Sequence, residues 1–381
     1  MKKYIGLCMI VKNEAHVIRR CLESALPLID FVCIVDTGSS DGTQEAVRSF
    51  LREKNLPGVV VDEPWQDFAY NRSFALRQLR EMQTIDYGLM IDADNVLVFE
   101  TDFNAAQFKK SLDADVYDVT LRTGVVFYRL PLLFSNRLEF AYKGVLHEYL
   151  DCSLAKTRSI ATGFLNNQIQ DSARNRNPRK YQDDAAVFEK ALAEESDPSL
   201  LSRYTFYLAQ SYRDCGEKIK SMEAYQHRST LGYWDQEVFY SLYQIARLKE
   251  ELGHQEEEVI QAYLAAYEAC PIRAESLYGA IRFCRLRQKY QQGYILGKHA
   301  LGIAYRQDGL FVEQWIYDYG LLDEFSIVAY WAGHYRESFD ACLKLLREAK
   351  APPSHRERIF QNADFAIQKL NNPDLRNLLP V

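Results

Sequence analysis

The first half of the chain alternates short apolar runs with amphipathic stretches, and this alternation restricts the fold more than any other feature. Short apolar runs indicate buried strands, whereas apolar side chains that recur at helical spacing indicate helices. Strands and helices joined in alternation by short connections favour a mostly parallel, doubly wound sheet in an α/β domain. The predicted strands are Tyr4–Val11, Phe31–Val35, Gly58–Val61 and Tyr87–Ile91, and the predicted helices are Val17–Ala25, Thr43–Leu51 and Asp67–Met82.

Farther along the chain, the sequence predicts an antiparallel hairpin beside this sheet. Its two strands, Val116–Leu121 and Val125–Leu130, flank the turn-like segment Arg122-Thr123-Gly124.

Polar side chains follow the predicted strands at the points where they end. Asn13 and Glu14 follow the first strand, Asp36 follows the second, and Asp92 and Asp94 follow the fourth. Because the carboxyl ends of parallel strands meet at one edge of an open sheet, where ligands bind, these side chains should line one crevice. Two carboxylates in that position suit Mg²⁺ or Mn²⁺ bridging to a diphosphate. By itself, however, an Asp-x-Asp pair also occurs in ordinary loops and helix caps.

A glycine-containing segment, Asp36–Thr43, connects the second strand to the next helix. Gly38 and Gly42 permit a tight backbone path, and the helix N-terminus offers amide groups to anions. Asp41 is predicted to cap this helix. The segment lacks the Gly-Lys-Ser/Thr ending of a Walker loop and the G-x-G-x-x-G of dinucleotide sites. ATP hydrolysis and nicotinamide chemistry are therefore disfavoured.

Length and composition narrow the class of protein. A chain of 381 residues is long for a single core, so two domains are predicted. The formal charge of −6 argues against nucleic acid as the main partner. The eight cysteines include no C-x-x-C pair, and we expect reduced thiols in a cytoplasmic protein. Neither a signal peptide nor an integral membrane segment is predicted.

Four motifs within the first 94 residues together resemble family-2 glycosyltransferases of the GT-A fold. The resemblance implies a Rossmann-like catalytic domain, a nucleotide-sugar donor, a divalent metal and inversion at the anomeric carbon. The motifs are Ile10-Val11-Lys12-Asn13-Glu14, Val35-Asp36-Thr37-Gly38-Ser39-Ser40-Asp41-Gly42-Thr43, Trp65-Gln66-Asp67-Phe68-Ala69-Tyr70-Asn71-Arg72 and Ile91-Asp92-Ala93-Asp94.

The same resemblance implies roles for individual residues. Asp36 would contact the nucleoside, with Asn13 and Glu14 lining the same pocket. Asp67 and Arg72 would approach the nucleoside and the diphosphate, and the planar guanidinium of Arg72 suits phosphate oxygens. The residues expected at the ribose and the metal-diphosphate are Asp92 and Asp94.

A second group of candidates lies about fifty residues after the aspartate pair, in Tyr142-Lys143-Gly144-Val145-Leu146-His147-Glu148. A Gly-x-x-His-Glu segment at this distance is a recurrent feature of the subgroup that the chain resembles. His147 is a candidate metal ligand together with Asp94, because neutral imidazole binds Mn²⁺. Glu148 is the candidate general base that activates the acceptor. The sequence leaves open an exchange or sharing of roles between His147 and Glu148.

The second half of the chain predicts amphipathic helices in a repeat. The turn positions Gly216, Gly253, Lys289 and Gly333 lie 37, 36 and 44 residues apart, and the last interval holds an insertion around Arg306–Gly320. This spacing is near the period of tetratricopeptide helix pairs. The region resembles the helical tail of bacterial tetratricopeptide-bearing family-2 glycosyltransferases. We therefore predict a catalytic domain at 1–175 and an all-α tetratricopeptide-like domain at 176–381, which would bind a peptide, form a homodimer or only buttress the first domain.

The linker departs from those relatives, which usually carry a histidine just before it. This chain has Ile169-Gln170-Asp171-Ser172 instead, so a third metal ligand would come from His147, Asp171 or water, or the chain would bind metal weakly. The basic residues that follow would form either a mobile lid over the diphosphate or a solvated linker. They are Arg174, Arg176, Arg179 and Lys180.

These features predict a metal-dependent, inverting glycosyltransferase that uses Mn²⁺ or Mg²⁺ and a nucleotide sugar. A UDP-sugar is the favoured donor and a GDP-sugar the second choice, and the acceptor would be a glycan or a protein. A catalytically silent scaffold with a partner-binding helical groove is the alternative. A sugar-phosphate nucleotidyltransferase ranks last, because Met9–Glu14 contains no glycine-rich phosphate loop.

Overall fold

A computed structural model describes residues 2–124, 126–306 and 309–380. The chain separates into two compact units, Met1–Ala193 and Glu194–Val381. The predicted boundary between residues 175 and 176 lies before this division, and as a boundary between functional domains it stays a prediction. Val125, the first residue of the second predicted hairpin strand, lies outside the described residues.

The first unit alternates strands with helices, as predicted. Its strands are β1 (Ile5–Val11), β2 (Phe31–Asp36), β3 (Gly58–Asp62), β4 (Tyr87–Met90), β5 (Asn95–Phe99), β6 (Val116–Thr123), β7 (Val126–Ser135), β8 (Ala141–Lys143), β9 (Tyr149–Asp151), β10 (Arg158–Ile160) and β11 (Phe164–Gln168). Its helices are α1 (Ile18–Ala25), α2 (Thr43–Lys54), α3 (Phe68–Arg80), α4 (Ala105–Ser111) and α5 (Lys180–Glu194), the last of which ends at the division between the units.

One large sheet forms the centre of this unit. Among the described residues it has nine strands, and the main path runs β3-β2-β1-β4-β7-β6-β11-β5, with β10 beside β6. The strands β3, β2, β1 and β4 are parallel to one another, whereas β7 joins β4 and β6 in antiparallel pairs. The Rossmann-like, mostly parallel fold class is therefore confirmed, and so is the antiparallel pairing of β6 with β7.

Alternating side chains of the parallel strands supply the core on both faces of the sheet. Leu7 and Met9 pack in a cluster with residues of α1 and α2. Cys8, between them, packs in a second cluster with Leu76 and Leu79 of α3. Because both faces are covered, the polar residues that follow β1, β2 and β4 lie at the one edge that the helices leave accessible.

The loop between β2 and α2 differs in one detail from the prediction. Gly42, with a φ of 90°, is the N-cap residue of α2, and Asp41 is not. The carboxylate of Asp41 nevertheless accepts a hydrogen bond from the backbone N–H of Thr43 (3.0 Å) and another from Ala15 (3.0 Å). Asp41 therefore joins the start of α2 to the end of the β1 loop.

The second unit is helical in its described residues, as predicted. Its helices are α6 (Pro198–Asp214), α7 (Lys218–Thr230), α8 (Asp235–Glu251), α9 (Glu256–Ala269), α10 (Glu275–Leu286), α11 (Tyr290–Ala300), α12 (Leu321–Trp331), α13 (Tyr335–Glu348) and α14 (Arg356–Leu370).

Consecutive helices of this unit form pairs whose turns adopt left-handed backbone conformations. Gly216, Gly253 and Gly333 have φ values of 87°, 73° and 88°. In the third pair the left-handed residue is Gln288, with a φ of 58°, one position before the predicted turn residue Lys289. Within the described ranges, none of the helices combines the length and hydrophobicity that crossing a bilayer requires.

Candidate active site

The loop after β1 is held against the loop after β2 through Asn13. Asn13 has a left-handed backbone, with a φ of 58°, which non-glycine residues adopt only when their surroundings support it. Its backbone N–H donates to Oγ of Ser39 (2.8 Å), and its side-chain oxygen accepts from the backbone N–H of Ser40 (2.8 Å). Asn13 thus fixes the loop after β1 against the loop after β2 at the sheet edge.

Asp36 ends β2 and is buried at this edge of the sheet, only 1% exposed. One carboxylate oxygen accepts from the backbone N–H groups of Gly38 (2.9 Å) and Ser39 (2.7 Å). The other oxygen, also buried, has no hydrogen-bond partner among the described residues. Because an unpartnered buried polar atom is costly, this oxygen is suited to receive a donor group from a ligand.

Arg72 of α3 lies between two carboxylates. Its Nη2 is 2.6 Å from Oδ1 of Asp92, and its Nε is 2.5 Å from Oε1 of Glu148. The guanidinium also lies over the ring of Tyr142, with its Cζ 5.7 Å from the ring centroid. Burial alone would lower the pKa of Arg72, but the charges of Asp92 and Glu148 outweigh burial and raise it. The site therefore contains a permanent buried cation.

Asp94 is buried and covered by the segment that follows β11. Its Oδ2 accepts from the backbone N–H of Ser172 (3.2 Å) and from the amide of Asn175 (3.3 Å). Burial raises the pKa of Asp94, and the nearby charge of Asp92 adds to this shift.

Glu14 is a second buried carboxylate at this edge. It accepts from the backbone N–H of Ala173, at 3.2 Å from one oxygen and 3.4 Å from the other. Burial raises its pKa to about 7, with smaller contributions from the charges of Asp94 and Asp92, while the Ala173 hydrogen bond opposes the shift. Like charges crowded at one edge favour binding of a cation or a proton.

The carboxylate of Asp67 makes a local hydrogen bond at the start of α3. Asp67 is the N-cap residue of α3, and its carboxylate accepts from the backbone N–H of Tyr70 (2.7 Å). Trp65, just before it, is 42% exposed and packs edge-on against Phe68. The predicted contact of Asp67 with a nucleoside stays a prediction.

His147 lies on the loop between β8 and β9 with a left-handed φ of 51°. The side chain is exposed, and its ring lies parallel to that of Phe188, with centroids 6.3 Å apart. The neighbouring Glu148 is turned inward, and its side chain is only 12% exposed. The predicted metal role of His147 stays a prediction.

The carboxylates of this edge suit a divalent cation that also binds substrate phosphates and water. Within residues 2–124, 126–306 and 309–380, no three His, Cys, Asp or Glu side chains are grouped as a complete metal site. Mg²⁺ and similar ions, however, are usually held by one or two carboxylates together with substrate phosphates and water. Asp92 and Asp94 supply two such carboxylates, and a cation would relieve the repulsion that, together with burial, raises the pKa of Asp94. The predicted metal role of Asp94 and the predicted ribose and diphosphate contacts of both residues stay predictions.

Sequence reasoning missed two ion pairs at this site. One is the pairing of Arg72 with Glu148, and the other is the pairing of Arg20 with Asp171, whose guanidinium and carboxylate are 2.7 Å apart. The partners are separated by 76 and 151 residues, and no local pattern links them. Covariation between homologous sequences is the signal that would find such pairs.

A sheet with a polar carboxyl edge is typical of ligand-binding α/β domains, and comparison with known proteins identifies the class of this one. Residues 7–130 match the family model of glycosyl transferase family 2. The chain thus carries a family-2 glycosyltransferase domain, followed by a tetratricopeptide-like helical region, which confirms the resemblance seen in the motifs.

Two curated relatives resemble parts of the chain. A TPR repeat-containing protein of Synechococcus elongatus is 32% identical over 157 residues, which cover 39% of this chain and 36% of that protein. The lipopolysaccharide core biosynthesis glycosyltransferase LpsC of Rhizobium meliloti is 35% identical over 89 residues, which cover 23% of this chain and 31% of that protein. The chain therefore spans about a third of the length of these relatives.

Among solved structures, the chain is similar to S. aureus TarS 1-349 in complex with UDP-GlcNAc. The sequence identity is 14% and the TM-score 0.38, over 76% of this chain and 92% of that chain.

Proposed function

We propose that this protein is a metal-dependent, inverting glycosyltransferase that moves a sugar from a nucleotide-diphosphate sugar to a glycan or protein acceptor. The observation that carries the proposal is the buried Asp36, whose unpartnered carboxylate oxygen lies at the sheet edge that also presents Asp92, Asp94 and Arg72. That edge belongs to a family-2 glycosyltransferase domain. UDP is the favoured nucleotide, and GDP is the second choice.

The donor would bind with its nucleoside against Asp36. The free oxygen of this carboxylate accepts a hydrogen bond from the base or the ribose, which removes the cost of leaving it buried and unpaired. Asn13 and Glu14 line the same pocket, and Asp67 stands at the start of the helix that carries Arg72. The guanidinium of Arg72 faces the diphosphate and neutralises part of its charge.

Asp94 would hold the cation, with Asp92 beside it and His147 as the candidate additional ligand. When bound, Mn²⁺ or Mg²⁺ stabilises the negative charge that develops on the leaving diphosphate.

The transfer itself would be a single displacement. The acceptor hydroxyl attacks the anomeric carbon from the face opposite the diphosphate and loses its proton to Glu148. The new C–O bond forms as the bond from the anomeric carbon to the phosphate oxygen breaks, so the configuration inverts and the nucleoside diphosphate leaves. The contact with Arg72 fixes the position of Glu148 for this proton transfer.

Calorimetric titration with UDP and GDP, with and without Mn²⁺, tests this proposal. We expect metal-dependent binding of one nucleotide, and loss of that binding in Asp36→Ala. Asp62→Ala is a matched control, because Asp62 ends the neighbouring strand β3 but is exposed. If a folded protein bound no nucleotide with or without metal, the proposal would fail and the scaffold alternative would lead.

Self-association through the helical unit is a further part of the proposal. Sedimentation equilibrium of the whole chain checks it, and a monomer at all concentrations would contradict it.

A further inference from the structure

The segment of residues 169–176, here called the strap, lies over the acidic edge of the candidate site. At its start, the backbone N–H of Ile169 donates to the carbonyl oxygen of Asp94 (3.4 Å). Two further donors reach the carboxylate of the same residue, from Ser172 and Asn175, at 3.2 and 3.3 Å. Both of these donors converge on one oxygen atom, Oδ2.

The strap also covers the second buried carboxylate. The backbone N–H of Ala173 points between the two oxygens of Glu14. Both carboxylates are therefore stabilised in this conformation by neutral N–H dipoles of the strap.

The strap is fastened to α1 by one charged contact, here called the latch. The guanidinium of Arg20 donates two hydrogen bonds to Asp171, at 2.9 and 2.7 Å. The carbonyl oxygen of Asp171 lies 3.0 Å from Nε2 of His16, just before the same helix. The latch side chains are 41% and 32% exposed, so solvent screens the pair and it can open at modest cost.

A cation and the strap cannot use the same oxygen of Asp94. A cation held through Oδ2 would repel the N–H dipoles that point at this atom, so Ser172 and Asn175 would have to move away. This inference rests on the cation site of the proposed function: we infer that the strap competes with a divalent cation for Asp94, and that the latch of Arg20 and Asp171 strengthens the strap in this competition. Opening the latch favours the state that binds the cation.

Mn²⁺ binding to the whole chain tests this inference, with the electron paramagnetic resonance signal of free Mn²⁺ as the readout. The informative variant is Arg20→Ala with Asp171→Asn, because it removes the latch and leaves the net charge unchanged. We expect it to bind Mn²⁺ about fivefold more tightly than the wild type, which is the scale of one partly exposed ion pair. The control is Arg19→Ala with Glu53→Gln, which removes a second ion pair of α1 that does not contact the strap, and its Mn²⁺ affinity should not change.

Hydrogen exchange of the strap amides is the second readout. In the metal-free protein, exchange at Ser172 and Ala173 should be faster in the latch variant than in the wild type, and Mn²⁺ should accelerate it in both. Equal or weaker Mn²⁺ binding by a folded latch variant would overturn the inference; weaker binding would instead indicate that Asp171 is itself a ligand. If neither protein bound Mn²⁺, both the cation site of the proposed function and the inferred competition would be refuted. Nucleotide binding, measured separately, would then still test the rest of the proposed function.

Discussion

Nε of Arg72 lies 2.5 Å from Oε1 of Glu148, so the side chain predicted to face a diphosphate is paired with the one predicted to act as base. Both are largely buried, with 11% and 12% of their side chains exposed. The pairing joins α3 to the loop before β9 and makes the positions of the two groups depend on each other.

Replacing Arg72 should therefore affect both stability and binding. Arg72→Ala leaves Glu148 buried without its cation, and the free energy of unfolding should fall by about 3 kcal/mol. Urea unfolding measures the loss, and UDP titration should show that binding is lost as well. Arg77→Ala is the control on the same helix, because Arg77 is exposed and its guanidinium lies over the rings of Tyr70 and Phe74. A variant of Arg72 with wild-type stability would contradict the pairing.

Glu148→Gln tests the proton-accepting role. The amide keeps the shape of the carboxylate but does not take a proton, so turnover should fall about 10²- to 10⁴-fold while nucleotide affinity changes little. Glu139→Gln removes an exposed carboxylate nearby in sequence and should transfer sugar normally. Steady-state assays of sugar transfer measure the turnover of both variants. Undiminished turnover in Glu148→Gln would assign the role of the base to another group.

Asp94→Ala tests the cation site. The rate of sugar transfer should fall by about 10²-fold or more, because the leaving diphosphate loses the charge that stabilises it. Circular dichroism should show an intact fold, since the raised pKa of Asp94 indicates that its charge is unfavourable in the folded protein. Unchanged turnover would refute the assignment of Asp94 to the metal.

Glu14 should make stability depend on pH. Its pKa is raised from 4.5 to about 7 in the folded protein, chiefly by burial, so the folded state binds this proton more tightly than the unfolded state. The resulting stability is fully present below pH 4.5 and is lost as the pH rises to about 7. Glu14→Gln, which mimics the protonated form, should equal the wild type near pH 4 and exceed it by about 1–3 kcal/mol at pH 8. Urea unfolding at both pH values checks this, and parallel pH profiles would contradict it.

Gly279 should be essential to the packing of the helical unit. A Cβ atom at this position of α10 would overlap the ring of Tyr263 on α9. Gly279→Ala should lower the free energy of unfolding by about 1–3 kcal/mol, because the ring of Tyr263 is buried and would have to shift. At Gly302 the nearest atom to such a Cβ is a carbonyl oxygen at 3.4 Å, so Gly302→Ala should be nearly neutral. Thermal melting of both variants provides the comparison.

The sequence by itself determined the element types and the edge at which the polar residues lie. Strands β1 to β4 and their helices follow from local apolar spacing, and the residues after each strand reach one edge because parallel strands share a direction. The helical repeat was also predictable from the sequence, because its turn positions recur at a nearly regular spacing along the chain. In the third helix pair the left-handed residue is Gln288, one position before the predicted Lys289, because no glycine fixes the left-handed position there.

Only the tertiary structure decided which side chains meet. Arg72 with Glu148, Arg20 with Asp171, and the strap with Asp94 are contacts between segments distant in sequence, and no local pattern specifies them. The short strands β8 to β11 also escaped prediction, because three-residue strands carry too few residues to show a period, and β11 takes its conformation from its neighbours β5 and β6. The physical reason is common to all of these features: burial and pairing energies depend on which groups the folded chain brings together, whereas periodicity reports only the chain's local conformation.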